Sequence, residues 1–460
     1  MADPLRDHAT LKDAQLAAPW EHVFERITTP FERFIHNQTS AGLLLMAVTL
    51  LTLLLANSPW SATYEHLLHT PLSLRLGEWS LELSLQHWVN DGLMALFFFL
   101  VGLEIKRELL VGELASVRKA ALPIVAAAGG MVVPATIYFF VNPEGDAARG
   151  WGIPMATDIA FAVGALVLLG RRIPRNLIVF LAALAIVDDL GAVVVIALFY
   201  TADLVLTPLA VAGALFVVLI ALNLGGVRRP LPYFLVGILM WFAMLQSGIH
   251  ATVAGVLLAF TIPTRPQYHL ERFSSHVRNL MDRYDHAKQP GVSLLENLDQ
   301  ASIVQALEAG VERVQPPLAR LERAFHLPVG LLVIPVFALF NAGIPIEFTT
   351  LAATLSHPVT FGVMSGLLLG KFLGITGVSY LASRYAGAAL PDGVSMRHII
   401  GVGLLGGIGF TMSIFIGELA FATLPEHLLM AKTGILAASL AAGTLGCGWL
   451  WWATRRDVSP

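Results

Sequence analysis

Apolar stretches of helix-spanning length recur along this chain, separated by short segments rich in Pro, Gly and charge. They fall at about residues 41–58, 88–110, 121–141, 152–170, 176–200, 205–224, 231–247, 249–263, 328–342, 358–383, 398–420 and 429–452, twelve in all. A helix is the segment that satisfies its own backbone in hydrocarbon, so the pattern predicts an all-α polytopic membrane protein with twelve transmembrane helices. The stretch 231–263 reads either as one long run or as two spans divided at Gln246-Ser247-Gly248, the division adopted in this count. Residues 1–40 form a polar N-terminal segment, 41–263 hold spans one to eight, 264–327 form a connector, 328–452 hold spans nine to twelve, and 453–460 form a tail.

Two stretches depart from the helical apolar pattern. From Leu72 to Gln86, apolar and polar residues alternate about Gly77, which predicts a small outer β-hairpin over 72–86. A lone hairpin is marginal in water, so its edge either pairs with a second copy, making a homodimer, or lies on its own helices. Within 264–327, LLENLDQASIVQALEAGVERV reads as an amphipathic helix in a cytoplasmic connector between two halves of the bundle.

Composition narrows the class. Only 13% of residues are Asp, Glu, Lys or Arg and 56% are hydrophobic, too few charges to coat a soluble enzyme of 460 residues. The single cysteine, Cys447, excludes an intrachain disulfide framework and a cysteine-built metal cluster, and a net charge of −3 leaves no basic excess for nucleic acid. No cofactor is indicated. The N-terminal residues lack the basic-then-apolar layout of a cleaved signal, so the first apolar stretch is expected to stay in the mature chain.

Basic residues set the orientation. Lys106, Arg107, Arg118, Lys119, Arg171, Arg172, Arg175, Arg228, Arg229, Arg384, Arg397, Arg455 and Arg456, with everything basic in 264–327, collect on one side when both termini are cytoplasmic. The outer loops then hold Arg75 and Arg149, with Lys432 at the outer end of the last span.

Charges deep in spans are costly and therefore informative. Asp188 and Asp189 lie midway along NLIVFLAALAIVDDLGAVVVIALFY, Lys371 midway along VTFGVMSGLLLGKFLGITGVSYLAS, and Asp158 near the start of GIPMATDIAFAVGALVLLG. Adjacent residues on a helix project about 100° apart, so both aspartates can border one cavity. Burial and mutual repulsion favour keeping a proton on at least one of them. Deprotonated, the pair supplies hard oxygens for a small cation; protonated, it cannot hold one. Competition at one site is enough to yield exchange. The bland alternative is a buried pair satisfied by neighbouring amides.

Gly150, Gly152 and Pro154 beside Thr157 and Asp158 predict a locally unwound helix, as do Gly401, Gly403, Gly406, Gly407 and Gly409 in GVGLLGGIGFTMS. The GxGxxG match within the latter follows no strand and is chance. Broken helices expose half-helix ends, for which Asp158 and Lys371 carry compensating signs; Lys371 pairing directly with Asp188 is the other reading. Spans three to five and ten to twelve each place the interrupted span second, the layout of inverted repeats with two crossed, unwound helices. Toward the inner face, Glu104 and Glu108 share one face of the second span, Glu322, Arg323 and His326 start the ninth, and His250 opens the eighth. Carboxylates and histidines of this kind either read cytoplasmic pH or form a solvated rim.

ATDIAFA, AIVDDLGA, NDGLMALFFFLVGLEIKREL, SGIHATVAGV, RLERAFHLPVGLLVIPVFALFNAG, LLLGKFLGI and GGIGFTMSIFI, in that set and colinear from about residue 33 to 452, resemble the NhaA family of bacterial sodium/proton antiporters. That family is itself a known example of inverted-repeat transporters, so the repeat reading and the resemblance are one argument. The resemblance implies an electrogenic, pH-regulated antiporter of the bacterial inner membrane that exports Na⁺ or Li⁺ for H⁺ by alternating access. It implies Asp188 and Asp189 as cation and proton ligands, Thr157 as a neighbouring ligand, and Asp158 and Lys371 as compensating charges. It assigns Glu104, Glu108, His250, Glu322 and His326 to pH response and 72–86 to a dimer contact, with membrane lipid as surroundings. The connector is longer than in the best-known members, and Arg323 stands where those carry histidine.

Other classes fit less well. Another ion-coupled carrier shares most of these features. An intramembrane aspartyl protease takes its aspartates from separate helices in a GxGD-like setting, which is missing, and a passive channel does not explain a lysine buried in the pathway.

Overall fold

The computed structural model describes residues 38–76, 79–201, 204–266, 270–289, 293, 296–346, 349, 351–385 and 387–456. The N-terminal segment, the Gly77 turn and the end of the tail lie outside the described residues.

Helix α1 (Gln38–Ala56) is followed by α2 (Ser61–His69) at a 110° bend. Strands β1 (Pro71–Leu76) and β2 (Trp79–Ser84) pair antiparallel, with Leu72 opposite Leu83 and Ser73 opposite Glu82. The Trp88 indole donates to the Leu72 carbonyl at 3.2 Å, tying this hairpin to the second apolar stretch. That stretch runs through a π-helical turn (Trp88–Leu93) into α3 (Met94–Val111). Then follow α4 (Val117–Val141), a 3₁₀ segment (Asp146–Met155), α5 (Ile159–Leu168), α6 (Arg175–Phe199), α7 (Leu206–Leu224), α8 (Pro230–Leu245) and α9 (Thr252–Thr261).

The connector holds two helices, α10 (Leu270–His286) and α11 (Leu298–Val314), of which the residue pattern predicts the second. Asn297 caps α11 by accepting from Gln300 N–H and donates to the Ala287 carbonyl, while Gln300 donates to the Tyr284 carbonyl, so the pair is stapled at its turn. Helix α12 (Pro317–Pro328) continues through a π turn into α13 (Ile334–Asn341), so the ninth apolar stretch begins about three turns earlier than hydropathy alone suggests. The chain closes with α14 (Leu351–Ser356), α15 (Pro358–Ser365), two π turns flanking Lys371, α16 (Val378–Tyr385), α17 (Met396–Leu405), α18 (Phe410–Ala420) and α19 (Pro425–Arg456).

Among the described residues, six helices are long and apolar enough to cross a membrane, or up to nine with each bent pair taken as one span. The difference from twelve has physical sources. Helices α8 and α9 have 16 and 10 residues, and α3 carries Glu104, Lys106, Arg107 and Glu108 in its second half.

Two hydrophobic cores organise the bundle. One joins α3, α7, α8, α9 and α12 through Phe99, Leu103, Leu219, Met240 and Leu258. The other gathers α4 to α6 and α15 to α19, and takes in Phe98 from α3 and Phe337 from α13 where the two bodies touch. Helices α3 and α9 approach backbone to backbone. A Cβ on Gly102 would stand 2.7 Å from the Ala259 methyl, and one on Gly255 would strike the Ala95 carbonyl. Gly255→Val is expected to lower the thermal midpoint of the detergent-solubilised protein by several degrees, an overpacking cost of about 1–3 kcal/mol. An unchanged midpoint would show that the two helices can separate freely.

Candidate functional site

Helix α6 needs no cap or charge to persist, because its 25 residues are nearly all apolar; the exceptions at its centre are Asp188 and Asp189, each 1% exposed. The tenth stretch reaches them from the other half of the sequence. Gly374 lies against the backbone of Gly129 in α4, and that close approach carries Lys371, fully buried, into the same interior. Its ammonium meets Asp188 Oδ2 at 2.5 Å. Of the two pairings open for this lysine, the geometry is the one with Asp188.

Asp189 differs. Neither of its carboxylate oxygens has a hydrogen-bond partner among the described residues, and Asp188 Oδ1 has none either. The charged groups bearing on Asp189 are Asp188, Asp158, Glu104 and Lys371. Buried carboxylate oxygens without partners are rare because desolvation is not offset. A site that exchanges small ions is one of the few settings that accounts for them.

Beside the pair, two chain breaks are bonded to each other. Met155 ends the 3₁₀ segment just after Pro154, Ala156 is extended, and Asp158 caps α5 by accepting from Phe161 N–H at 3.0 Å. The segments on either side bend by 40°, and α17 and α18 bend by 44° at Gly406–Gly409. The Asp158 N–H donates to the Ile408 carbonyl at 2.7 Å, and the Thr157 hydroxyl donates to the Gly406 carbonyl at 3.1 Å while also facing Asp188. Asp158 Oδ2 accepts from the Thr411 N–H at 3.1 Å and from the Thr411 hydroxyl. One carboxylate thus satisfies the amino ends of both α5 and α18, where helix dipoles favour negative charge.

Thr411 was not among the residues singled out from sequence. Its signal is a threonine in the first turn of the helix that follows the glycine-rich stretch. Thr376 and Ser379 were also missed; their buried hydroxyls have no partner among the described residues, whereas Thr49, Thr52, Thr136 and Ser365 bond the carbonyl four residues back.

A second group forms along α3 and α12. Arg107 binds Glu322 and Glu108, each at 2.9 Å, and His326 Nδ1 lies 3.8 Å from Glu104. Glu108 also accepts from the Glu113 N–H at the end of α3. His250 stands elsewhere: its Nε2 lies 2.6 Å from the Tyr200 carbonyl, at the end of the bundle that carries the hairpin. Four of the five residues expected to respond to pH are therefore gathered, and His250 is apart from them. No set of three or more His, Cys, Asp or Glu side chains suited to a metal occurs among the described residues, so any ion held at Asp188 and Asp189 needs hydroxyl or carbonyl oxygens as well.

A profile of the family described as Na⁺/H⁺ antiporter 1 matches residues 32–450. The Na⁺/H⁺ antiporter NhaA 1 of Saccharophagus degradans is 56% identical over 94% of this chain and 93% of its own length. The Na⁺/H⁺ antiporter NhaA of Sulfurimonas denitrificans is 53% identical over 95% and 98%, and that of Acidithiobacillus ferrooxidans 52% identical over 93% and 98%. Likeness of this degree over nearly the whole chain leaves one assignment: the chain belongs to the Na⁺/H⁺ antiporter 1 family, whose members are transporters and not enzymes.

Proposed function

We propose that this protein exchanges Na⁺ for H⁺ across a bacterial inner membrane, with Asp189 and Asp188 as the shared ligands of both ions. The observation that carries the reading is the buried aspartate pair in which one carboxylate is held by Lys371 and the other has no hydrogen-bond partner among the described residues. Sodium arriving at Asp189 finds oxygens from both carboxylates and from Thr157, provided the Lys371 ammonium gives way at Asp188. Protons arriving instead neutralise the carboxylates and leave nothing to hold the cation. Two carboxylates that each carry a proton back against one monovalent cation move net charge, which makes the cycle electrogenic. Li⁺, smaller and equally hard, uses the same oxygens.

The frame we infer has twelve spans, with Ala156–Asp158 and Gly406–Gly409 as the unwound centres of two crossed spans in an inverted repeat. The 40° and 44° bends and the hydrogen bonds between the two breaks support it. Both termini and the 264–327 connector face the cytoplasm, as the lysine and arginine distribution favours. Residues 1–40 and 453–460 flank the two membrane portions, 41–263 and 328–452. The hairpin lies outside, where pairing of its edge with a second copy gives a homodimer in the lipid. Glu104 bears on Asp189 from one side and meets His326 on the other, so protonation of that histidine turns the contact into an ion pair and alters the field at Asp189. That is a route by which cytoplasmic pH regulates exchange.

In everted vesicles energised with a proton gradient, Na⁺ or Li⁺ should dequench an acidity probe and K⁺ should not. No response to Na⁺ would refute the reading, and an equal response to K⁺ would refute the sodium selectivity.

A further inference from the structure

At the hairpin end of the bundle a cavity of about 690 Å³ opens among Tyr64, Gln86, Asn90, His250, Glu418 and Lys432. Part of its wall is a polar network. The Lys432 ammonium lies 2.6 Å from Glu418 Oε1, with both side chains largely buried. Gln86 Nε2 lies 3.5 Å from the same oxygen and 3.1 Å from Asn341 Oδ1. Asn341, 1% exposed, and Asn90 exchange amide hydrogen bonds at 2.7 and 3.2 Å.

One of these bonds, from Gln86 to Glu418, joins different bodies of helices. Gln86 and Asn90 lead into α3, and Asn341 ends α13, the continuation of α12. Glu418 and Lys432 belong to α18 and α19, in the body that holds the aspartate pair. The His250 contact with the Tyr200 carbonyl makes the same crossing from the α8–α9 loop to the end of α6. At the opposite end, the ion pairs of Arg107 with Glu322 and of Glu104 with His326 run within the first body. Polar ties between the bodies are thus found at the hairpin end.

Between Asp189 and the hairpin end of the bundle, α6 and α18 present apolar side chains. The Phe415 ring lies tilted 5.4 Å from Phe98 and edge-on 6.1 Å from Phe337, and Val193 and Ile196 follow Asp189 on the same face of α6, about one and two turns along. An exchanger that is open to one side at a time needs this barrier to part on the other half of its cycle, and for that the two bodies must separate here.

We propose that Gln86, Glu418 and Lys432 are positioning residues of the transport cycle, forming an outer latch that holds the two bodies together while Asp188 and Asp189 are reached from the inner face. Lys432 keeps the Glu418 carboxylate neutralised, so the latch does not capture passing cations. Release of the Gln86 bond accompanies opening of the cavity toward Asp189. This deepens the antiport reading and rests on it.

The test starts from a Cys447→Ser parent in proteoliposomes. Cross-linking a Gln86→Cys/Glu418→Cys pair with a short bifunctional methanethiosulfonate should lower Na⁺/H⁺ exchange at least about tenfold, with recovery on reduction. A Thr360→Cys/Met430→Cys pair, inside one body, should cross-link without loss. Independently of exchange, a lone Val193→Cys should react about tenfold faster with a membrane-impermeant thiol reagent added outside when Glu418→Gln weakens the latch. Full exchange by the cross-linked pair overturns the proposal, and so does a Val193→Cys rate unmoved by Glu418→Gln. Absence of exchange in the parent overturns the antiport reading itself.

Discussion

Replacing Asp189 by asparagine is expected to abolish Na⁺-dependent proton movement in everted vesicles while leaving the protein inserted and folded. The substitution is nearly isosteric and removes the one property the account requires, a carboxylate that alternates between proton and cation. Neither oxygen of Asp189 makes a hydrogen bond among the described residues, so no structural bond is lost. Neutralising a buried, unpaired carboxylate should if anything stabilise the fold. Exchange is read by probe dequenching and folding by the thermal midpoint in detergent. Loss of both together would mean that Asp189 is structural, and retained exchange would remove it from the site.

Lys371→Ala is expected to have the largest effect on stability. Its ammonium is fully buried on Asp188, and deleting one partner of such a pair leaves the other charge uncompensated, a cost of roughly 3–5 kcal/mol. The double variant Lys371→Ala/Asp188→Asn should recover most of the loss, because it buries no net charge. In the single variant Na⁺ can take the place of the ammonium, so its thermal midpoint should rise with NaCl more than with choline chloride. Equal midpoints for parent and single variant, or no difference between the two salts, would show that the pair contributes little and that no cation reaches Asp188.

Much of this molecule was readable from residues alone because lipid punishes exceptions. Apolar runs marked the helices, and the aspartate pair stood out since midspan carboxylates are costly there. The Gly150–Pro154 and Gly401–Gly409 clusters lie beside the 40° and 44° bends. What could not be read were contacts across long sequence separations. The choice of Asp188 for Lys371 spans 183 residues, and the bond of Thr411 to Asp158 spans 253. Both depend on how α4, the tenth stretch and the two breaks nest. Helix α10 escaped notice because its polar composition resembles any solvated connector, and α12 extended past the hydropathy edge because Pro317 begins a helix readily and Glu322 and His326 face polar neighbours. The split of His250 from the Glu104 group was hidden too: a histidine at the start of a short span gives no sign of which end of the bundle it faces.

The claim on which the rest depends is that one metal ion and protons compete for the same two side chains. It is tested most directly by titrating purified protein with NaCl in weakly buffered detergent solution and recording the protons released as Na⁺ binds, across a range of pH. The account predicts proton release on binding and an apparent Na⁺ affinity that falls by up to about tenfold per pH unit for each proton displaced as the solution is acidified. Sodium binding with no proton release, at an affinity indifferent to pH, would contradict it.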